Sequence, residues 1–169
     1  MKTTKLFLAA FVMMATMGFV ACGDEDKTEP STPDPVQYTE SSSLTIKYEG
    51  NAVAAGDTAI YTHTTGMPMM FFDVVNKTQV SRDVYFKVEM LEGPASMGSM
   101  GFCTDVCNNF TCPFIAPNPN RPFTIPAGGS NSFDLQFMGE EGSTAVYKMT
   151  GGIGQDLQDP QVIFLKVIL

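Results

Sequence analysis

Three cysteines, Cys103, Cys107 and Cys112, fall within ten residues and form the densest cluster of reactive side chains in this 169-residue chain. A fourth, Cys22, stands far upstream. Thiols at this spacing can close a disulfide, hold a metal or run redox exchange. Three thiols allow one disulfide and leave one thiol over, and the pairings 103–107, 107–112 and 103–112 are all open. So short a loop gains only about 2–3 kcal/mol from such a clip. Zinc would need His63 as a fourth ligand, but His63 lies 40 residues upstream of Cys103. Matched ligand pairs of the zinc type are missing, and so is the redox spacing Cys-x-x-Cys. No metal and no cofactor are expected.

The remaining candidates for chemistry are sparse. His63, the single histidine, sits among Thr62, Thr64 and Thr65 without a neighbouring nucleophile or orienting acid. It reads as a surface or strand-end residue. Gly151-Gly152-Ile153-Gly154 lacks the strand–turn–helix setting of a dinucleotide-binding loop and reads as a flexible hairpin loop. Asp156 and Asp159 are too few to hold calcium. Asp73, Asp83 and Asp105 are the carboxylates on which an enzyme would depend, and two of them would have to share one pocket. The chain carries 10 basic and 18 acidic residues, a net charge of −8. A nucleic-acid binder needs a basic face, so nucleic acid is excluded as a partner.

The N-terminus reads as a processing signal. Lys2 and Lys5 precede an uncharged, mostly apolar run from Leu6 to Val20, too short to span a bilayer comfortably. Phe19-Val20-Ala21-Cys22 resembles a bacterial lipoprotein lipobox, with Phe19 in place of the usual leucine. The resemblance implies that Cys22 is lipidated after removal of residues 1–21 and that its acyl chains anchor the protein in a membrane. Gly23-Asp24-Glu25-Asp26-Lys27 resembles the acidic export tract beside the lipidated cysteine of Bacteroidota surface lipoproteins. Residues 22–42 hold six acids, one lysine and three prolines, the composition of an extended linker. Without Lys2 and Lys5 the net charge becomes −10, and the linker carries −5 of it. The domain expected over 43–169 is therefore only mildly acidic.

That domain must be built from strands. Leu44, Ile46 and Tyr48 alternate with polar residues, as do Val84, Phe86, Val88 and Met90, and again Phe133, Leu135 and Phe137. Thr58–Thr62, Phe123–Ile125 and Ala145–Met149 are rich in strand formers. Met67 to Val75 is apolar on both phases, which suits a strand buried on both faces or a barrel-like curl. The last run, Gln161–Leu169, is also apolar on both phases and belongs inside a sheet. No helical stripe is present. Seven to nine short strands separated by turns predict an all-β, immunoglobulin-like (Greek-key) β-sandwich.

Cys107-Asn108-Asn109-Phe110-Thr111-Cys112, then Pro122-Phe123-Thr124-Ile125 and the turn and strand from Pro126 to Phe137, together resemble small secreted β-sandwiches of the Bacteroidota. The resemblance covers about residues 84–169, and Cys103 departs from it. It implies a Cys107–Cys112 disulfide, with Cys103 the alternative partner, in a domain of immunoglobulin or fibronectin type III kind serving as a surface or accessory module. Asp57-Thr58-Ala59 resembles the O-glycosylation acceptor of the same envelopes, which makes Thr58 a candidate. Asn76-Lys77-Thr78 and Asn109-Phe110-Thr111 fit the N-glycan sequon, although a bacterial lipoprotein lacks that machinery. The segment Pro94–Arg121 is expected to be a long irregular loop, offering Met97, Met100, Phe102, Phe110 and Phe114 as an adaptable contact surface.

The expectation is a non-enzymatic binding or structural module, lipid-anchored in the outer membrane and facing the cell surface. Its partners would be the membrane through the anchor and an envelope protein or a glycan. A carboxylate-dependent surface enzyme and a periplasm-facing assembly accessory are the alternatives.

Overall fold

The structure, a computed structural model, describes residues 36–169. The expected signal segment 1–21, Cys22 and the expected linker up to residue 35 lie outside the described residues. The strands are β1 Leu44–Tyr48, β2 Asn51–Ala52, β3 Thr58–Thr62, β4 Met69–Asn76, β5 Arg82–Glu92, β6 Ser99–Cys103, β7 Cys107–Thr111, β8 Phe114–Ala116, β9 Phe123–Ile125, β10 Ser130–Phe137, β11 Thr144–Ile153 and β12 Gln158–Ile168. One 3₁₀ turn, Ala95–Met97, precedes β6. Among the described residues no helix is long and apolar enough to cross a membrane.

Two sheets share these strands. The first runs β2-β1-β4-β10-β6-β7, and the second runs β3-β12-β11-β5-β8 with β9 also paired to β5. The order β1-β4-β10-β6 facing β5-β11-β12 is that of an immunoglobulin-type sandwich. The chain changes sheet seven times, at β2–β3, β3–β4, β4–β5, β5–β6, β7–β8, β9–β10 and β10–β11. β3 adds to the edge of the second sheet by a parallel pairing with β12.

Alternation explains the packing. Leu44 and Ile46, Val84, Phe86 and Val88, and Ile163, Leu165 and Val167 all face the shared core. Phe133 lies at its centre, with ring centroids 4.5 Å from Phe86, 4.8 Å from Phe102 and 5.2 Å from Phe72. Stacks and edge contacts at these separations add to the burial of the rings themselves. Tyr147 is buried among them and donates its hydroxyl to the Met97 carbonyl at 2.7 Å. β12 sits between β3 and β11, inside its sheet as its sequence requires.

Several expectations change. Twelve strands form where seven to nine were expected. The additions are the two-residue β2 and the three strands β6, β7 and β8, all three inside the supposed loop Pro94–Arg121. β4 is not buried on both faces: Met70, Phe72 and Val74 point inward, while Phe71 is 62% exposed and Met67 precedes the strand in solvent. Gly151 and Gly152 are buried residues of β11. A side chain at Gly151 would meet the Phe86 ring at 2.9 Å, and one at Gly152 would meet the Leu157 backbone at 2.7 Å. Close packing, not flexibility, requires glycine there.

The packed region also begins before residue 43. The Tyr38 ring stands edge-on to Phe164 at 5.5 Å, and Ser41 is buried. The Ala55 amide donates to Glu40 Oε1 at 2.6 Å. Ser42 donates its amide and its hydroxyl to the Asp159 carboxylate, at 3.1 and 2.7 Å, and Lys77 Nζ donates to the Ser41 carbonyl. Residues 36–42 thus form an arm that crosses the outer face of β12 beside β3.

Candidate functional site: a cleft at the disulfide-clipped hairpin

β6 and β7 form an antiparallel hairpin in which Cys103 stands directly opposite Cys107. The two are joined by a disulfide. The expected Cys107–Cys112 pairing is corrected by the strand itself. Cys107 opens β7, and Cys112 follows its last residue. Five extended steps separate them by about 16 Å, far beyond the ~7 Å that a disulfide tolerates. Cys112 is the free thiol, half-buried, and burial pushes its pKa up.

The clip pins the turn Thr104-Asp105-Val106 against the connection from β8 to β9. Between them lies a cleft of about 230 Å³, lined by Phe102, Thr104, Asp105, Val106, Asn108, Pro117, Asn118, Arg121 and Pro122. A tight turn sets its far wall: Asn118 Oδ1 accepts from the Asn120 amide at 3.0 Å, and the Asn118 carbonyl accepts from the Arg121 amide at 2.8 Å. Among the described residues, the side chains of Thr104, Asp105, Asn108 and Arg121 have no hydrogen-bond partner, and the only ion pair is Lys87–Glu89 elsewhere. The cleft therefore presents one guanidinium, one carboxylate, a hydroxyl and two carboxamides to whatever enters it. It sits between β7 and β8, at the edge of the sandwich opposite β3 and the N-terminal arm. The two edges are separated by about 20 Å, the width of a five-stranded sheet.

The expected contact residues belong to the core instead. Met97, Met100 and Phe102 are buried to within 1% and Phe114 to 8%. Phe110 stacks on Phe114 at 4.8 Å and is partly covered. Of the five, Phe102 alone lines the cleft. A cleft does fall in the expected segment, and its polar lining is Thr104, Asp105, Asn108, Asn118 and Arg121. Asp105 and Arg121 carried a signal, as charged residues at turn positions of a cysteine-clipped segment; Asn118 carried none.

Thr58, at the first position of β3, is exposed beside an open recess between β3 and the β1–β2 hairpin. His63 is half-buried, with Nδ1 3.2 Å from the Tyr61 hydroxyl. The three candidate carboxylates sit on separate elements. Asp73 on β4 accepts from Ser132 Oγ at 2.6 Å, Asp83 on β5 accepts from Thr124 Oγ1 at 2.6 Å, and Asp105 is at the hairpin tip. Asp156 accepts from Gln158 at 2.7 Å. Asp159 is held below the usual carboxylate range by the hydroxyls of Ser43 and Ser42. Among the described residues no three His, Cys, Asp or Glu side chains are gathered as metal ligands.

Of the two sequons, Asn109 is exposed on β7 while Asn76 is fully buried. The Asn76 amide nitrogen faces the carbonyls of Val80, Ile125 and Pro126, at 2.8–3.2 Å, and its oxygen accepts from Thr78 N and Oγ1. It is a knot that ties the β4–β5 connection to the end of β9.

No protein-family model and no curated protein matches this chain. Among solved structures it is similar to the N-terminal domain of PorA, at 17% identity and a TM-score of 0.47 over 73% of this chain and 96% of that one. It is similar also to the periplasmic chaperone SfaE, at 13% identity and a TM-score of 0.40 over 74% of this chain and 56% of that one. A PapD-like domain of human CEP192 is similar at 9% identity and a TM-score of 0.38, over 79% and 89% of the two chains.

Proposed function

We propose that this chain is a lipid-anchored cell-envelope protein whose sandwich is a non-enzymatic binding module. Cys22 carries the anchor, the acidic linker gives reach, and the cleft at the β6–β7 hairpin is the contact site for an envelope glycan or protein. The observation that supports this reading is the set of unpartnered polar side chains in a clipped cleft, on the edge away from the arm. A disulfide beside the site suits an exported domain in an oxidising compartment. The resemblance of residues 19–27 to a lipoprotein lipobox and acidic export tract supports the outer membrane and its outward-facing leaflet.

Membrane partition of the native chain and of Cys22→Ala tests the anchor. The native chain is expected in the membrane fraction and the variant in the soluble one. A variant that stays with the membrane defeats the reading. Protease shaving of intact cells tests orientation: survival of the domain while other surface proteins are removed would place it in the periplasm.

A further inference from the structure

We infer that the cleft takes a neutral saccharide, an inference that rests on the reading of the cleft as the contact site. The lining groups decide the class. Arg121 offers only donors, Asp105 only acceptors, Thr104 Oγ both, and the carboxamides of Asn108 and Asn118 both. A simple anion seated on Arg121 meets the Asp105 carboxylate. A simple cation seated on Asp105 meets the guanidinium. An apolar side chain would strip water from all five polar groups and return no hydrogen bond.

A pyranose matches the mixture. Each of its hydroxyls both donates and accepts, and the ring has no net charge. Its C–H face is apolar, and Val106, Pro117 and Pro122 supply apolar contact in the same cleft. The volume, about 230 Å³, is below that of a pocket for a drug-sized molecule, and suits one ring or the end of a chain more than a peptide strand.

The test uses the full chain in a zwitterionic detergent without a sugar headgroup, titrated calorimetrically with four kinds of probe. These are neutral oligosaccharides of glucose, mannose and galactose, a uronic-acid oligosaccharide, a lysine-rich peptide and a glutamate-rich peptide. A neutral oligosaccharide is expected to bind with a Kd on the order of 1 mM, the range of a one-ring contact. Arg121→Ala and Asp105→Asn should each weaken it about tenfold or more, with the Tm unchanged because both side chains are exposed. Preference for a charged probe, abolished by the same variants, overturns the ligand class and keeps the cleft as contact site. Saccharide binding that survives both variants overturns the cleft as its seat. No binding of any probe at millimolar concentration overturns the saccharide, and membrane partition of the Cys22 variant then decides the anchored reading separately.

Discussion

Asp134 shows how far a single residue can stand from the pattern that surrounds it. Its strand, β10, alternates as its sequence requires, and Asp134 takes a polar phase as expected. Its neighbours across the ladders are Phe71 and Cys103, and its Oδ1 is buried without a hydrogen-bond partner. Burial pushes its pKa up, against a smaller opposite effect of Gln136. The native state therefore holds the proton more tightly than the unfolded chain does. The stability this contributes is complete below the ordinary carboxylate pKa and is lost as pH rises through the raised one. Asp134→Asn should stabilise the protein at pH 7 by up to about 1 kcal/mol, a figure reduced for solvent screening at a partly exposed site. The gain should vanish near the unfolded carboxylate pKa of about 3.9. Urea unfolding at both pH values checks this; an equal gain at both would disprove the electrostatic cause. The position of Asp134 on its strand was legible in the sequence. Its discomfort was not, because that depends on Phe71 and Cys103, which pairing brings from distant parts of the chain.

At the level of elements, alternation was a sound guide wherever one face of a strand meets water. β1, β5 and β10 lie where period two placed them. It failed where another rule was stronger. β6 has no polar phase to reveal it, since Met100 to Cys103 are all buried, and its glycine and cysteine suggested a loop. β7 has the reverse problem: CNNFT is nearly all exposed. Neither face of that hairpin reads as a strand until the two are paired. The β11 glycines were misread for a related reason, because the demand for a missing side chain comes from Phe86 and Ile46 across the fold at Gly151 and from the turn residue Leu157 at Gly152. The two sites should respond unequally. At Gly151 an added methyl meets side chains, which yield more readily than main chain, at 2.9 Å from the Phe86 ring and 3.1 Å from Ile46. At Gly152 it meets Leu157 main chain, which cannot. Gly151→Ala should cost about 1–2 kcal/mol and Gly152→Ala about 3 kcal/mol or more, read from chemical denaturation. The reverse order would show that β11 yields where its pairing says it is fixed.

For the whole molecule, the all-β sandwich was legible in the sequence, while the expected leader and most of the expected linker lie outside the described residues. The sequence left the domain boundary a few residues late, because Val36–Ser42 looks like linker in composition. The arm's value lies in contacts that composition does not show: Tyr38 on Phe164, Glu40 on Ala55, Ser42 on Asp159. A domain starting at Ser43 should be less stable than one starting at Val36 by about 2 kcal/mol, the scale of one aromatic pair and a few exposed hydrogen bonds. Both should unfold in a single transition, and equal midpoints in urea would show the arm to be energetically idle. The location of the cleft was legible only as a segment. That it faces away from the arm is a property of strand order, which no local pattern carries.

The arm also has a mechanical meaning. Under the proposed anchoring through Cys22 and the proposed binding in the cleft, a pull on the ligand would be carried across the sandwich to Val36–Ser42, the first described residues. The arm is held by the Tyr38–Phe164 contact, the buried Ser41 and a few hydrogen bonds, whereas β1 behind it is paired in register with β4 along its whole length. Under load the arm peels first. Its seven residues span at most about 24 Å when extended, which bounds the length a peeled arm could add before force reaches β1.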